Sequence, residues 1–374
     1  MKVDYLIQKG HVIDDYQGID DVRDIAVRNG KIVSADAAEP VYTIDASGCI
    51  VTPGFIDYHC HVGIRISDLG VDGETTYFPT GVTTVVDAGT SGTANYEAFR
   101  QETVHSRLRV KAYLNVCPAG LVTTGYHENI NPAVFQRDKI LRYLEKYSDQ
   151  LLGLKVRQSA ELTEGRGLEP MKAMLEIAEE AGCPVVVHTT NPPARPEELA
   201  RLLRKGDVYA HVYQGKGETV IRDGHVIPEM FDHQKRGVIF DAANGVNHFS
   251  FDVAMKCLEE GFIPDIISTD LSSKSVFIPG KVFSLSAVLS KYLALGMPLS
   301  DVLRCAIRNP ARALGQEELG SLCEGTSADI AIHRLVDRPT IFTDTFGKQV
   351  KGKQLLRTEL TMKEGSVVFR QIDF

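Results

Sequence analysis

The chain has 374 residues, 43% of them hydrophobic and 24% charged, so it can bury a large core, and it contains no apolar run near the roughly 18 residues needed to cross a bilayer. Its formal charge of −8 comes with no sustained basic segment, which removes the electrostatic basis for nucleic-acid binding and leaves a small molecule as the expected partner. Seven scattered cysteines, none spaced C-x-x-C, exclude a disulfide framework and a thiolate zinc site, and the absence of a signal-peptide pattern after Met1 predicts a cytoplasmic location.

From Leu6 to about Ile50 the pattern is short and strand-like, with Asn29-Gly30 between two apolar runs as a hairpin signal. Eight apolar runs of strand length follow: Phe55 to Val62, Val82 to Ala88, Val110 to Val116, Leu151 to Val156, Pro184 to His188, Val208 to Val212, Val238 to Phe240 and Asp265 to Thr269. Continuous Val/Ile/Leu runs are the mark of parallel strands buried on both faces. Helical periodicity fills the gaps, as in Met171 to Ala181, which Gly182 closes. Strand-like texture returns at Ala328 to Ile332 and Glu359 to Phe369, so the two ends of the chain are expected to pair.

This order predicts an α/β protein, a (β/α)8 TIM barrel over residues 52–316 with a small β-sandwich built from residues 1–51 and 317–374. An open doubly wound sheet would call for a Gly-rich phosphate loop after the first barrel strand, and the sequence has none there.

The chemistry-bearing residues fall at the carboxyl ends of the barrel runs, where the active sites of such barrels are assembled. His59 and His61 end the first run, Lys155 the fourth, His188 the fifth, His211 follows the sixth and Asp270 ends the eighth. Singly, a strand-end histidine is more often a packing residue and a strand-end aspartate more often caps a helix. Five strands delivering such groups to one face is a different matter, because four imidazoles and a carboxylate make a donor set for a divalent cation.

The order H-x-H, Lys, His, His, Asp, with Val51-Thr52-Pro53-Gly54 at entry and Asn309-Pro310-Ala311-Arg312 near the exit, resembles the amidohydrolase superfamily in its two-metal form. The resemblance implies that His59, His61 and Asp270 bind a more buried metal and His188 and His211 a more exposed one. It also implies that CO2 converts Lys155 to a carbamate bridging the pair. Zinc is the first expectation, with manganese or iron as alternatives. A metal-bridging hydroxide would attack a carbonyl and Asp270 would move the proton.

Segments such as Gly153-Leu154-Lys155-Val156-Arg157 and Ile267-Ser268-Thr269-Asp270-Leu271 are similar to the deacetylase-like branch often labelled dihydroorotase or adenine deaminase, which implies cleavage of an amide or ester of a small carboxylate. Arg157, Asn191, Tyr213, Asn244 and Lys274 follow barrel strands and are the candidate substrate contacts, with Arg157 or Lys274 as the partner of a carboxylate. A cyclic amidase of the dihydroorotase or hydantoinase type and a nucleobase deaminase are the alternative enzymes. Val62-Gly63 stands where dihydroorotases carry an arginine, and Lys155 counts against deamination. A non-catalytic scaffold would be expected to have shed metal ligands, and a homo-oligomer is expected by analogy with such barrels.

Overall fold

A computed structural model describes residues 1–125, 127–276 and 278–374. Its centre is a parallel sheet whose seven strands are neighbours in chain order: β1 (Phe55–Cys60), β2 (Val82–Asp87), β3 (Arg109–Asn115), β4 (Leu151–Arg157), β5 (Val185–His188), β6 (Val208–Ala210) and β7 (Ile239–Asp241). Every residue of β1, β2 and β5 is buried, which explains their unbroken apolar texture: helices cover the outer face and side chains fill the inner one. The helix Glu169–Ala181 buries Met171, Met174, Ile177 and Ala178 and ends at Gly182, whose φ of 64° is the left-handed cap read from the sequence.

The eighth run is not a regular strand, yet it bridges both edges of the sheet. Ile266 pairs with Asp241 of β7 and Leu271 pairs with Cys60 of β1. Ala242 N donates to Ile266 O at 2.9 Å, Asp270 N to His59 O at 2.7 Å and His61 N to Leu271 O at 2.9 Å. Between these bridges the backbone donors are taken elsewhere: Ile267 N goes to Cys305 O and Thr269 N to the buried Asp57 carboxylate at 3.0 Å. Side-chain capture of the amides thus replaces a ladder, and the Asp57 bonds to Thr269 fix the residue just before Asp270.

Both ends of the chain contribute to one eight-stranded sheet. Ile50–Pro53 lies at its middle, antiparallel to Ile330–Thr343 (Ile330 opposite Pro53, His333 opposite Ile50) and parallel to Lys2–Asp14. Ile7, Val27, Val51, Ile330, Ile332 and Leu360 form a separate apolar cluster within this unit. The Asn29-Gly30 hairpin forms, with φ of 48° and 75° at the two turn residues. The C-terminal strands run further than their apolar stretches suggested, over Ile330–Thr343 and Gln349–Lys363. In the helix Leu285–Ala294, behind the barrel wall, Lys291 is 1% exposed, and its Nζ donates to Asn244 Oδ1 at 3.1 Å.

Candidate metal centre

The structure brings six of the candidate side chains to one place. His59 is the penultimate residue of the buried strand β1 and His61 follows its end, their ring centroids 6.0 Å apart. Asp270 Oδ1 lies 3.1 Å from His61 Nε2 and 3.7 Å from His59 Nε2. Lys155 points inward from β4 with Nζ 3.5 Å from His59 Nε2. His211 lies between His59 and His188, with ring centroids at 5.0 Å and 4.2 Å. His211 and Asp270 both have positive φ, 67° and 50°, as does Ala243 at 34°. Holding non-glycine residues there costs about 1–2 kcal/mol each, a strain typical of functional sites.

A second layer of groups sets the tautomers. Thr90 Oγ1 donates to Asp87 Oδ2 at 2.6 Å, so it must accept from His61 Nδ1 at 2.9 Å. His211 Nδ1 donates to Ala243 O at 2.7 Å. His59 Nδ1 faces the fully buried Asp241 carboxylate at 3.4 Å. With Nδ1 protonated, the neutral His59 and His211 rings offer their Nε2 lone pairs to the cluster. His211 Nε2 is buried and has no hydrogen-bond partner among the described residues, and His61 Nε2 lies 3.1 Å from Asp270 Oδ1. An unpartnered buried imidazole lone pair close to an ionised carboxylate is an arrangement that a cation satisfies, and His59, His61 and Asp270 present their ligand atoms within 4.8 Å of one another.

The electrostatics agree. Burial pushes the pKa of His59, His188 and His211 well below the usual histidine range, so these rings are neutral. Burial also lowers Lys155 to about 8. For Asp270 burial acts upward, but the hydrogen bond with His61 Nε2 acts downward and the carboxyl lies below its ordinary range.

The cluster floors a cavity of about 170 Å3 at the carboxyl ends of the strands. Arg157 and Lys274 line it, but three other proposed contacts do not. Tyr213 is fully buried and donates its hydroxyl to Phe262 O at 2.8 Å, inside the protein. Asn244 is turned into the wall, where it donates to Ser268 O and accepts from Lys291. Asn191 occupies a left-handed turn after β5, its Oδ1 against Gly217. Position after a strand put these three on the correct face, and local side-chain bonding turned them from the cavity.

Sequence reasoning passed over His248. Its ring lies 4.8 Å from that of His188 and 4.4 Å from that of His211. Nδ1 is 2.8 Å from Thr190 Oγ1, and Nε2 is 3.6 Å from Asp270 Oδ2. Burial lowers its pKa to about 4. It sits in an irregular loop seven residues beyond β7, where no strand-end rule applies. Asp57, Asp87 and Asp241 were also passed over, although an acid inside an otherwise apolar buried run is a usable signal, because it must find a partner there.

The amidohydrolase family model matches residues 50–355. A deacetylase of Agrobacterium fabrum is 34% identical over 338 residues, 87% of this chain and 82% of the relative. A deacetylase of Enterococcus faecalis is 26% identical over 98% of this chain and 99% of its own length. Among solved structures, a dihydroorotase superposes with a TM-score of 0.87 at 30% identity over 98% of both chains. An adenine deaminase gives 0.90 at 24% identity over 99% of this chain and all of its own, a likeness of fold.

Proposed function

This chain is a member of the amidohydrolase family and a hydrolase, and on that premise we propose that it is a deacylase that cleaves an amide or ester bond of a small molecule with the help of two divalent cations. His59, His61 and Asp270 would hold the more enclosed ion, His188 and His211 the more open one, and a carboxylated Lys155 both. The observation that carries this reading is the locking of Nδ1 on His211, which leaves its buried Nε2 lone pair without a partner among the described residues, beside a cluster in which His59, His61 and Asp270 bring their ligand atoms within 4.8 Å of one another. An ammonium on Lys155 would repel cations, whereas a pKa of about 8 leaves roughly a tenth of the side chain as free amine at pH 7, the form that combines with CO2. Imidazole and carboxylate donors suit zinc first, then manganese or iron.

When bound, such ions acidify a water and polarise the carbonyl to be cleaved. Asp270, ionised and with Oδ2 turned toward His248, accepts the water's proton and returns it to the leaving nitrogen or oxygen. Thr190 holds the His248 ring by its Nδ1, so the wall beside Asp270 Oδ2 keeps its shape during this transfer.

The test compares zinc-loaded, manganese-loaded and metal-free protein against N-acyl amino acids, acetylated 2-hydroxy acids, dihydroorotate and hydantoins, with metal content measured alongside. Deacylation confined to loaded protein is expected. A folded, fully loaded protein that hydrolyses none of these retires the reading. The likeness to a dihydroorotase structure favours one second reading, a cyclic amidase, which ring opening of dihydroorotate in preference to the acyl substrates would establish.

A further inference from the structure

Apart from the histidines, three basic side chains line the cavity, and two of them are already committed. Lys155 is buried within the imidazole cluster. Arg157, the more obvious anion clamp, places Nη1 2.6 Å from Glu128 Oε2, and that carboxylate is itself only 1% exposed. Glu128 is further held by Asn115, whose Nδ2 is 3.4 Å from Oε1. A substrate carboxylate approaching Arg157 therefore meets a cation whose charge a buried carboxylate already compensates, so it gains less there than at an unpaired cation.

Lys274 differs on each count. It is exposed at the cavity mouth, and among the described residues it has neither a carboxylate nor any hydrogen-bond acceptor as partner. Its stem can swing, but its backbone is pinned. Ser273 N donates to Leu69 O at 2.9 Å, and Ser272 N donates to Ser275 Oγ at 2.8 Å, which ties the loop to the segment that carries Asp270. In a protein of net charge −8, an uncompensated cation beside the reactive centre makes that mouth a local attractor for anions.

We propose that Lys274 is the specificity-determining residue of this site: it pairs with the carboxylate of the substrate and selects acyl derivatives of small acids over their neutral analogues, while Arg157 and Glu128 serve as wall. The inference rests on the hydrolase reading for its chemistry but not for its charge accounting. The cavity of about 170 Å3 is smaller than the roughly 300–1,000 Å3 of sites for drug-sized ligands, so the acid is small. Leu69, Leu121 and Val246 give the uncharged part of the ligand an apolar surface.

The experiment uses ligands that cannot be hydrolysed, the N-methylsulfonyl derivatives of glycine, alanine and leucine, each as the free acid and as the primary amide. Calorimetric titration of the metal-loaded protein is expected to show preference for the acids, roughly five- to twentyfold at low salt. K274M should remove that preference while changing amide binding less than about twofold, K274E should reverse it, and K274R should keep most of it. A K274M variant that retains the wild-type preference overturns the proposal, as does wild-type protein that binds acid and amide equally or binds neither. A protein that selects the acids through Lys274 yet hydrolyses no acyl substrate would retire the hydrolase reading alone.

Discussion

Lys291 offers a quantitative check on how the wall behind the cavity is built. Its ammonium is enclosed by the barrel, bonded to Asn244 Oδ1 and 4.3 Å from the centroid of the Phe249 ring, and burial lowers its pKa from 10.5 to about 7. A depression of that size corresponds to roughly 5 kcal/mol of native-state destabilisation wherever folded and unfolded chains are both protonated, which is below about pH 7. Between pH 7 and 10.5 the unfolded chain keeps a proton that the folded one has released, so this contribution makes stability climb with pH and levels off above 10.5. Replacing the lysine with methionine removes the penalty but leaves Asn244 Oδ1 without its donor, a cost of about 1–3 kcal/mol. Lys291→Met is therefore expected to be more stable than wild type by roughly 2–4 kcal/mol at pH 6, with the advantage shrinking through pH 8 and gone by pH 10. Urea unfolding of both proteins at the three pH values measures this, and because Asn244 faces away from the cavity, metal content should not change. A stability difference independent of pH, or a variant weaker than wild type at pH 6, would refute the argument.

If Lys155 bridges two cations as proposed, Lys155→Ala should lose bound metal and turnover, with partial recovery in millimolar short-chain carboxylic acids; full metal content in the unsupplemented variant would remove the bridging role. Asp270→Asn should keep the fold by circular dichroism while turnover falls by about 10²–10⁴, and an unchanged rate would reject its part in proton transfer. Gly245→Ala should lower both stability and turnover, because φ is +53° and the new Cβ would lie 2.5 Å from both Asp270 Oδ2 and His248 Cδ2. The backbone strain alone is about 1–2 kcal/mol, readable as a lower melting temperature. A variant that melts and turns over like wild type would show that the Asp270 carboxylate is not so tightly confined.

The barrel was legible because buried parallel strands declare themselves as unbroken Val/Ile runs, as in Val185–His188, and because strand ends are where such folds carry chemistry. The eighth segment shows the limit of that rule. Its apolar run was visible, but nothing in Ile266-Ile267-Ser268-Thr269 says that Asp57 will claim an amide of the segment from the opposite side of the closure. Periodicity reports which face is buried; it is silent on long-range bonds between a side chain and a backbone 212 positions away. The same limitation misplaced Tyr213 and Asn244, whose partners Phe262 and Lys291 lie in later parts of the chain. His248 escaped because its position depends on a loop path through Gly245 rather than on strand alternation. Arg157 was visible as a cation, but its partner Glu128 lies in the irregular segment after β3, where no periodicity marks it as one.

The sheet that knits residues 2–53 to residues 330–370 also has a consequence for biosynthesis. Ile50–Pro53 needs Ile330–Ile332 as its hydrogen-bonding neighbour, so one edge of residues 2–53 stays bare until the ribosome has added about 280 further residues. During that interval Val51 and Ile7 lack the apolar cover that Ile330 and Leu360 later provide. Nascent chains stalled before about residue 330 should consequently be the aggregation-prone species, and chaperone demand should fall only once the final strands have emerged.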